Sequence, residues 1–132
     1  MANDHAANTM LRSPLGRVRG LGSAKGGTHH WWLQRLTAIA LLPLTIWFAF
    51  SAALLAGASY EETVAWIGRP WNAVLLLATI ALVFHHIASG IQVIVEDYAN
   101  QEWTKMSSIL AVKAICALLA IASALAVLRI AV

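Results

Sequence analysis

The sequence predicts an all-α fold, an integral membrane bundle of three helices. Three observations predict it. Hydrophobic residues make up 60% of the 132-residue chain and charged residues only 11%, with a mean hydropathy of +0.71, which lies outside the composition of ordinary soluble domains. The apolar residues gather into three runs, at about 32–56, 71–95 and 108–130, each close to the roughly 20 residues a helix needs to cross lipid. Glycine, proline and charged residues collect between the runs, which marks the loops.

Residues 1–27 form a polar, basic arm. Gly16, Gly20, Gly22, Gly26 and Gly27 interrupt any helical pattern, and the arm shows neither the apolar core of a signal peptide nor the amphipathic period of a transit peptide. Arg12, Arg17, Arg19 and Lys25 stand there against one acid, Asp4. By the positive-inside rule this excess places the arm in the cytoplasm, with the chain in the bacterial inner membrane. The net charge of +3 is thus a matter of topology. The basic residues form no stripe with interleaved aromatics, so no nucleic-acid partner is expected.

Residues 28–132 form the anchor domain. Its first span opens on Thr28-His29-His30-Trp31-Trp32, where Thr28 suits a helix cap and the paired indoles suit the headgroup level. Pro43 falls mid-span and is expected to kink the helix. Arg35, just inside the span, fits two accounts: its stem can snorkel to the phosphates, or its guanidinium can turn inward to an anionic group. The loop at 57–70 sets Glu61 and Glu62 against Arg69, a balance that suits the non-cytoplasmic side, with Tyr60, Trp66 and Trp71 as interfacial anchors. A short surface helix is expected over 61–67. The loop at 96–107 returns to the cytoplasm and is the most polar of the chain. The third span is alanine-rich, with serines that suit close helix approach, and Lys113 and Arg129 can snorkel from it. The single cysteine, Cys116, excludes an internal disulfide and reads as a small buried hydrophobe.

The chemistry concentrates between His85 and Tyr98. A histidine in hydrocarbon is costly unless it is paired or ligated. On a helix, His86, Gly90, Val93 and Asp97 follow at steps of four, three and four and so share one face. Asp97 then lies roughly 16 Å along the axis from His86. One account of His86 is a hydrogen bond to a neighbouring helix. The other is ligation of a haem iron, because Gly90, a turn further on and without a side chain, lets a flat macrocycle lie against the helix while the imidazole reaches the metal. His85 is about 100° away round the helix, and the residues a turn on from it, Ser89 and Gln92, suit that approach less well. A six-coordinate haem needs two ligands, so the second must come from another polypeptide or another copy of this one. Zinc is disfavoured, since no second histidine or acid lies three or four residues from His86 on its face. Asp97 and Tyr98 also fit two accounts. They are a polar helix end with an interfacial tyrosine, or a quinone site in which the phenol donates to a carbonyl and the carboxylate supports proton delivery.

These residues resemble the hydrophobic membrane-anchor subunits of succinate dehydrogenase, specifically the smaller, haem-ligating anchor whose second helix ends in Asp-Tyr. The family pattern is a histidine, a small residue four later and Asp-Tyr eleven and twelve later, which His86, Gly90, Asp97 and Tyr98 match. Upstream, the family's Gly-X-His with an arginine six residues on is matched by Gly27, His29 and Arg35, followed by Thr37-Ala38-Ile39. The resemblance covers about 27–130; the arm before it and His30, Trp31 and Trp32 are departures from the pattern.

The resemblance implies that His86 is one axial ligand of a haem b shared with a second membrane anchor, the cytochrome b subunit. It implies that Gly90 packs against the haem, that Arg35 and His29 meet the propionates, and that Tyr98 hydrogen-bonds ubiquinone with Asp97 in support. The implied partners are that second anchor, an iron-sulfur subunit, a flavoprotein subunit and membrane lipid. The chain would perform no chemistry alone, as one subunit of succinate:ubiquinone oxidoreductase, complex II of the respiratory chain and of the tricarboxylic acid cycle. The alternatives are the anchor of a related fumarate reductase and a haem-free structural anchor. A transporter or proton channel is disfavoured by the shortage of ionisable residues along a complete path.

Overall fold

The computed structural model describes residue 15 and residues 27–132. The basic residues Arg12, Arg17, Arg19 and Lys25, on which the expected orientation rests, lie outside the described residues. Over residues 27–132 four helices follow one another: α1 (Gly27–Leu54), α2 (Tyr60–Ile67), α3 (Pro70–Tyr98) and α4 (Glu102–Ala131). Among the described residues there is no strand. Helices α1, α3 and α4 are long and apolar enough to cross a membrane, so the chain is a three-span, all-α membrane bundle.

Each of the three helices outruns its apolar core. At 28, 29 and 30 residues they extend about 42–45 Å, against a hydrocarbon thickness near 30 Å. Helix α1 begins at Gly27, so Thr28 sits in the first turn and does not cap it. Helix α3 runs past Val95 to Tyr98, and α4 begins at Glu102, six residues before the apolar run. Hydropathy marks what lipid tolerates, whereas backbone hydrogen bonding continues into the polar residues at either end. Pro43 lies inside α1, which continues through it as one helix.

Helix α3 is the central element, with both α1 and α4 packed on it. Apart from Leu41, the buried residues are small or carry hydroxyls: Thr37, Ser51, Ala73, Ser89 and Cys116. Such residues let helix backbones approach where apolar bulk gives no preference over lipid. Several hydroxyls in the spans are satisfied within their own helix, as Thr37, Thr45, Thr79 and Ser89 each donate to the carbonyl four residues back.

The far end of the bundle is held by α2, which packs against α3 and α4 and stacks Trp66 on Trp47 of α1 with ring centroids 5.7 Å apart. The sequence pattern Ser-X-X-Glu starts this helix. Ser59 Oγ accepts from the Glu62 amide at 3.2 Å while the Ser59 amide donates to the Glu62 carboxylate at 2.7 Å, a reciprocal cap. The hydrogen bond from the Ser59 backbone, and then that with its side chain, hold the Glu62 carboxyl below its ordinary pKa. The cap is therefore fully present above the ordinary glutamate pKa and is lost as pH falls through the lowered value. Pro70 then opens α3 at the position where its missing N–H is not needed, and Asn72 Nδ2 ties the junction by donating to the Trp66 carbonyl at 2.7 Å.

The chain leaves α1 through Gly57, whose φ of 91° lies in the left-handed region. A Cβ there would meet nothing within 4 Å, so the cost of a side chain is one of backbone conformation alone. Gly57→Ala is expected to destabilise the bundle by about 1–2 kcal/mol, read as an earlier unfolding midpoint in detergent with an unchanged helical spectrum.

Candidate functional site

The site forms where α1 crosses the middle of α3. His86 is half-buried and directed at α1, where Thr37 Oγ1 stands 2.9 Å from its Nδ1. The same hydroxyl lies 2.9 Å from the Leu33 carbonyl and 3.0 Å from the Gln34 carbonyl. On the other side of the imidazole, Gln34 Nε2 lies 3.4 Å from both His86 Nε2 and the His86 carbonyl. Gly90 provides the room for this amide, since a Cβ there would stand 3.3 Å from Gln34 Nε2. The open space next to Gly90 is thus filled by a side chain of the same protein.

Gln34 is held poorly. Its Oε1 is buried with no hydrogen-bond partner, a defect that costs about 1–3 kcal/mol, and its Nε2 contacts are at the long limit of hydrogen bonding. Gln34 is also part of the wall of a cleft of about 650 Å³, shared with Gly27, His30 and Trp31 of α1 and with Gln92, Val93 and Glu96 of α3. That volume lies within the ordinary range for small-molecule sites. Gln92 Nε2 donates to Glu96 Oε1 at 2.7 Å along its rim.

The remaining sequence-predicted residues do not line this cleft. Arg35 is exposed and rests its guanidinium over the Trp31 ring, 4.7 Å from the centroid, a cation–π contact. Trp31 in turn meets Trp32 edge-on at 5.3 Å. His29 is exposed, and it is His30 that faces the cleft. Asp97 and Tyr98 are exposed at the end of α3, Tyr98 at 82%. His85 belongs to the face of α3 turned to α4, in a cavity of about 180 Å³ with Lys113 and Cys116 of α4. Ser89 Oγ donates to the His85 carbonyl at 2.7 Å and lies 3.5 Å from His85 Nδ1.

The arrangement fits one axial ligand of a haem. It offers a single imidazole at depth, fixed at Nδ1, whose Nε2 is covered only by a weakly held amide with an orphaned oxygen. Gln34 and Thr37 are the functional candidates that motif reading passed over. Their signal was their spacing of three, which puts both polar groups on one face of α1 where the apolar span begins.

Residues 9–125 match the family described as succinate dehydrogenase/fumarate reductase transmembrane subunit. The chain belongs to this family. Among curated members, it is 32% identical over 103 residues to the succinate dehydrogenase hydrophobic membrane anchor subunit of Rickettsia bellii, covering 78% of this chain and 82% of that one. It is 34% identical over 94 residues to the succinate dehydrogenase membrane anchor subunit of Reclinomonas americana, covering 69% and 78%. The hydrophobic membrane anchor subunit of Paracoccus denitrificans is 34% identical over 86 residues, or 65% and 67% of the two chains. No solved structure matches the chain. The resemblance drawn from the stretch around His86 and from the start of the first span therefore stands at the level of the family, and this family member is a membrane protein with three spans.

Proposed function

We propose that the chain is the membrane-anchor subunit of a succinate:ubiquinone oxidoreductase, holding one side of a haem b and forming part of the quinone-reduction site. The observation that carries this is His86, a half-buried imidazole anchored at one nitrogen by Thr37 and covered at the other only by the ill-satisfied amide of Gln34. Family membership supports an assembly with the other subunits of the enzyme, which in this reading are a second anchor that contributes the other histidine, an iron-sulfur subunit and a flavoprotein subunit.

When bound, the haem supplies one-electron redox chemistry. His86 would hold it through Nε2, the nitrogen that Gln34 Nε2 now approaches at 3.4 Å, and Gly90, without a side chain, would leave room beside it. Arg35 and His29, both exposed at the start of α1, would meet its propionates. Tyr98, exposed and unencumbered, donates its phenol hydrogen to a quinone carbonyl, while Asp97 keeps a carboxylate near that oxygen for proton delivery. The Tyr98 end of α3 and the start of α1 face the cytoplasm, where an iron-sulfur subunit docks. The anchor of a fumarate reductase would use the same groups in the opposite direction.

A second reading has a specific observation behind it. The His86–Thr37–Gln34 contacts alone join α1 to α3 and would serve a haem-free structural anchor equally well. Purifying the complex through a tag on this chain and recording a reduced-minus-oxidised spectrum separates the two. A b-type spectrum with flavoprotein and iron-sulfur subunits co-purifying is expected. The same partners without haem would leave the structural anchor, and neither haem nor partners would overturn the assignment.

A further inference from the structure

Thr37 has one hydroxyl hydrogen and three neighbours. Two of these, the carbonyls of Leu33 and Gln34 at 2.9 and 3.0 Å, can only accept. The third, His86 Nδ1 at 2.9 Å, can either donate or accept, according to the tautomer. Thr37 is buried, 6% exposed, and a hydroxyl in a helix surrounded by lipid gives its hydrogen to its own backbone. Its oxygen is then left as an acceptor, and the partner that can fill it is the Nδ1–H of His86. The consequence falls on the far nitrogen. With the proton held on Nδ1, neutral His86 carries an unprotonated lone pair on Nε2, aimed at the place where Gln34 Nε2 lies 3.4 Å away.

We infer that Thr37 is the positioning residue for the haem ligand: its hydroxyl fixes the His86 tautomer and ring plane, and by polarising Nδ1–H makes Nε2 a stronger donor to iron. This rests on the haem function proposed above. An outer-shell acceptor on a ligating histidine sets ring orientation and raises ligand basicity, and a more basic axial ligand favours the oxidised iron. Thr37 touches neither haem nor quinone and works only through His86. The register explains why a threonine stands here. Gln34 and Thr37 are three residues apart on α1 and bracket the imidazole from its two nitrogens, so one face of one helix both orients the ring and covers its ligating atom.

The test compares wild type, Thr37→Val, Thr37→Ser and His86→Ala in the whole complex. The readouts are haem content, haem midpoint potential, the low-temperature EPR g-values of the ferric haem, and haem transfer to excess apomyoglobin. Thr37→Val keeps shape and removes the acceptor. It is expected to move the potential in the positive direction, shift the g-values and weaken haem retention on the order of 10- to 100-fold, the scale for loss of an outer-shell partner. Thr37→Ser, which keeps the hydroxyl, is expected to restore all three. If Thr37→Val yields too little haem to titrate while the subunits still co-purify, restoration by Thr37→Ser supports the same role, and failure of serine to restore haem overturns it in favour of packing. Unchanged potential, g-values and retention in Thr37→Val, with haem present in wild type and lost in His86→Ala, overturns the role of Thr37 and leaves the haem site intact. A haem-free wild-type complex, or haem that survives His86→Ala, removes the ligand itself and with it the inference.

Discussion

His86→Ala is expected to abolish the b-type absorbance of the purified complex, whereas His85→Ala leaves it in place. The two imidazoles are adjacent in sequence but, about 100° apart round α3, meet different neighbouring helices. His86 faces α1, where it meets Thr37 and Gln34, and His85 faces α4 beside Lys113 and Cys116. Removing His86 leaves no buried donor stranded, because Thr37 keeps its two carbonyl partners on α1. Loss of haem in this variant would therefore reflect a missing ligand and not an unfolded subunit, and the co-purifying subunits provide the check. A spectrum kept in His86→Ala and lost in His85→Ala would reverse the assignment.

Tyr98→Phe is expected to lower quinone-dependent succinate oxidation by roughly 10- to 100-fold while dye-linked oxidation stays at the wild-type rate. The size follows from one hydrogen bond to a group that gains charge during the reaction, about 1–3 kcal/mol. Such a bond strengthens as the quinone oxygen becomes negative, so the loss should fall mainly on turnover. Tyr98 is 82% exposed in the chain, and the substitution deletes a single oxygen, so stability should not change. Quinone turnover equal to wild type would return Tyr98 to the role of an interfacial anchor.

The spans were legible because they depend on composition over long windows, and the bilayer makes that signal coarse and strong. Their ends were not, because Gly27–His30, Glu96–Tyr98 and Glu102–Ser107 are polar yet helical, and hydropathy cannot distinguish a polar turn of helix from a loop. The short helix at Tyr60–Ile67 was legible in outline from its position between spans. Its cap was legible in principle from Ser59 and Glu62, which stand at the spacing a reciprocal cap requires. The histidine was singled out by its cost in lipid, but what it meets was beyond reach of one sequence. The contact of His86 with Thr37 joins positions 49 residues apart, and no local rule fixes the register of α1 on α3. Gly90 is the instructive case. Its missing side chain signalled room for a flat macrocycle, and within the chain the group that lies there is the Gln34 amide, 3.3 Å from where a Cβ would stand.

The six buried residues of the described chain lie along thin seams, and most of the surface of α1, α3 and α4 is turned outward. A subunit built this way has little interior of its own, so what surrounds it determines how long it persists. Copies made in excess of their assembly would spend more time locally open, and membrane proteases act on the open population. Abundance of this chain should then follow abundance of the complex, with stoichiometry set by clearance of the orphan as much as by the rate of its synthesis.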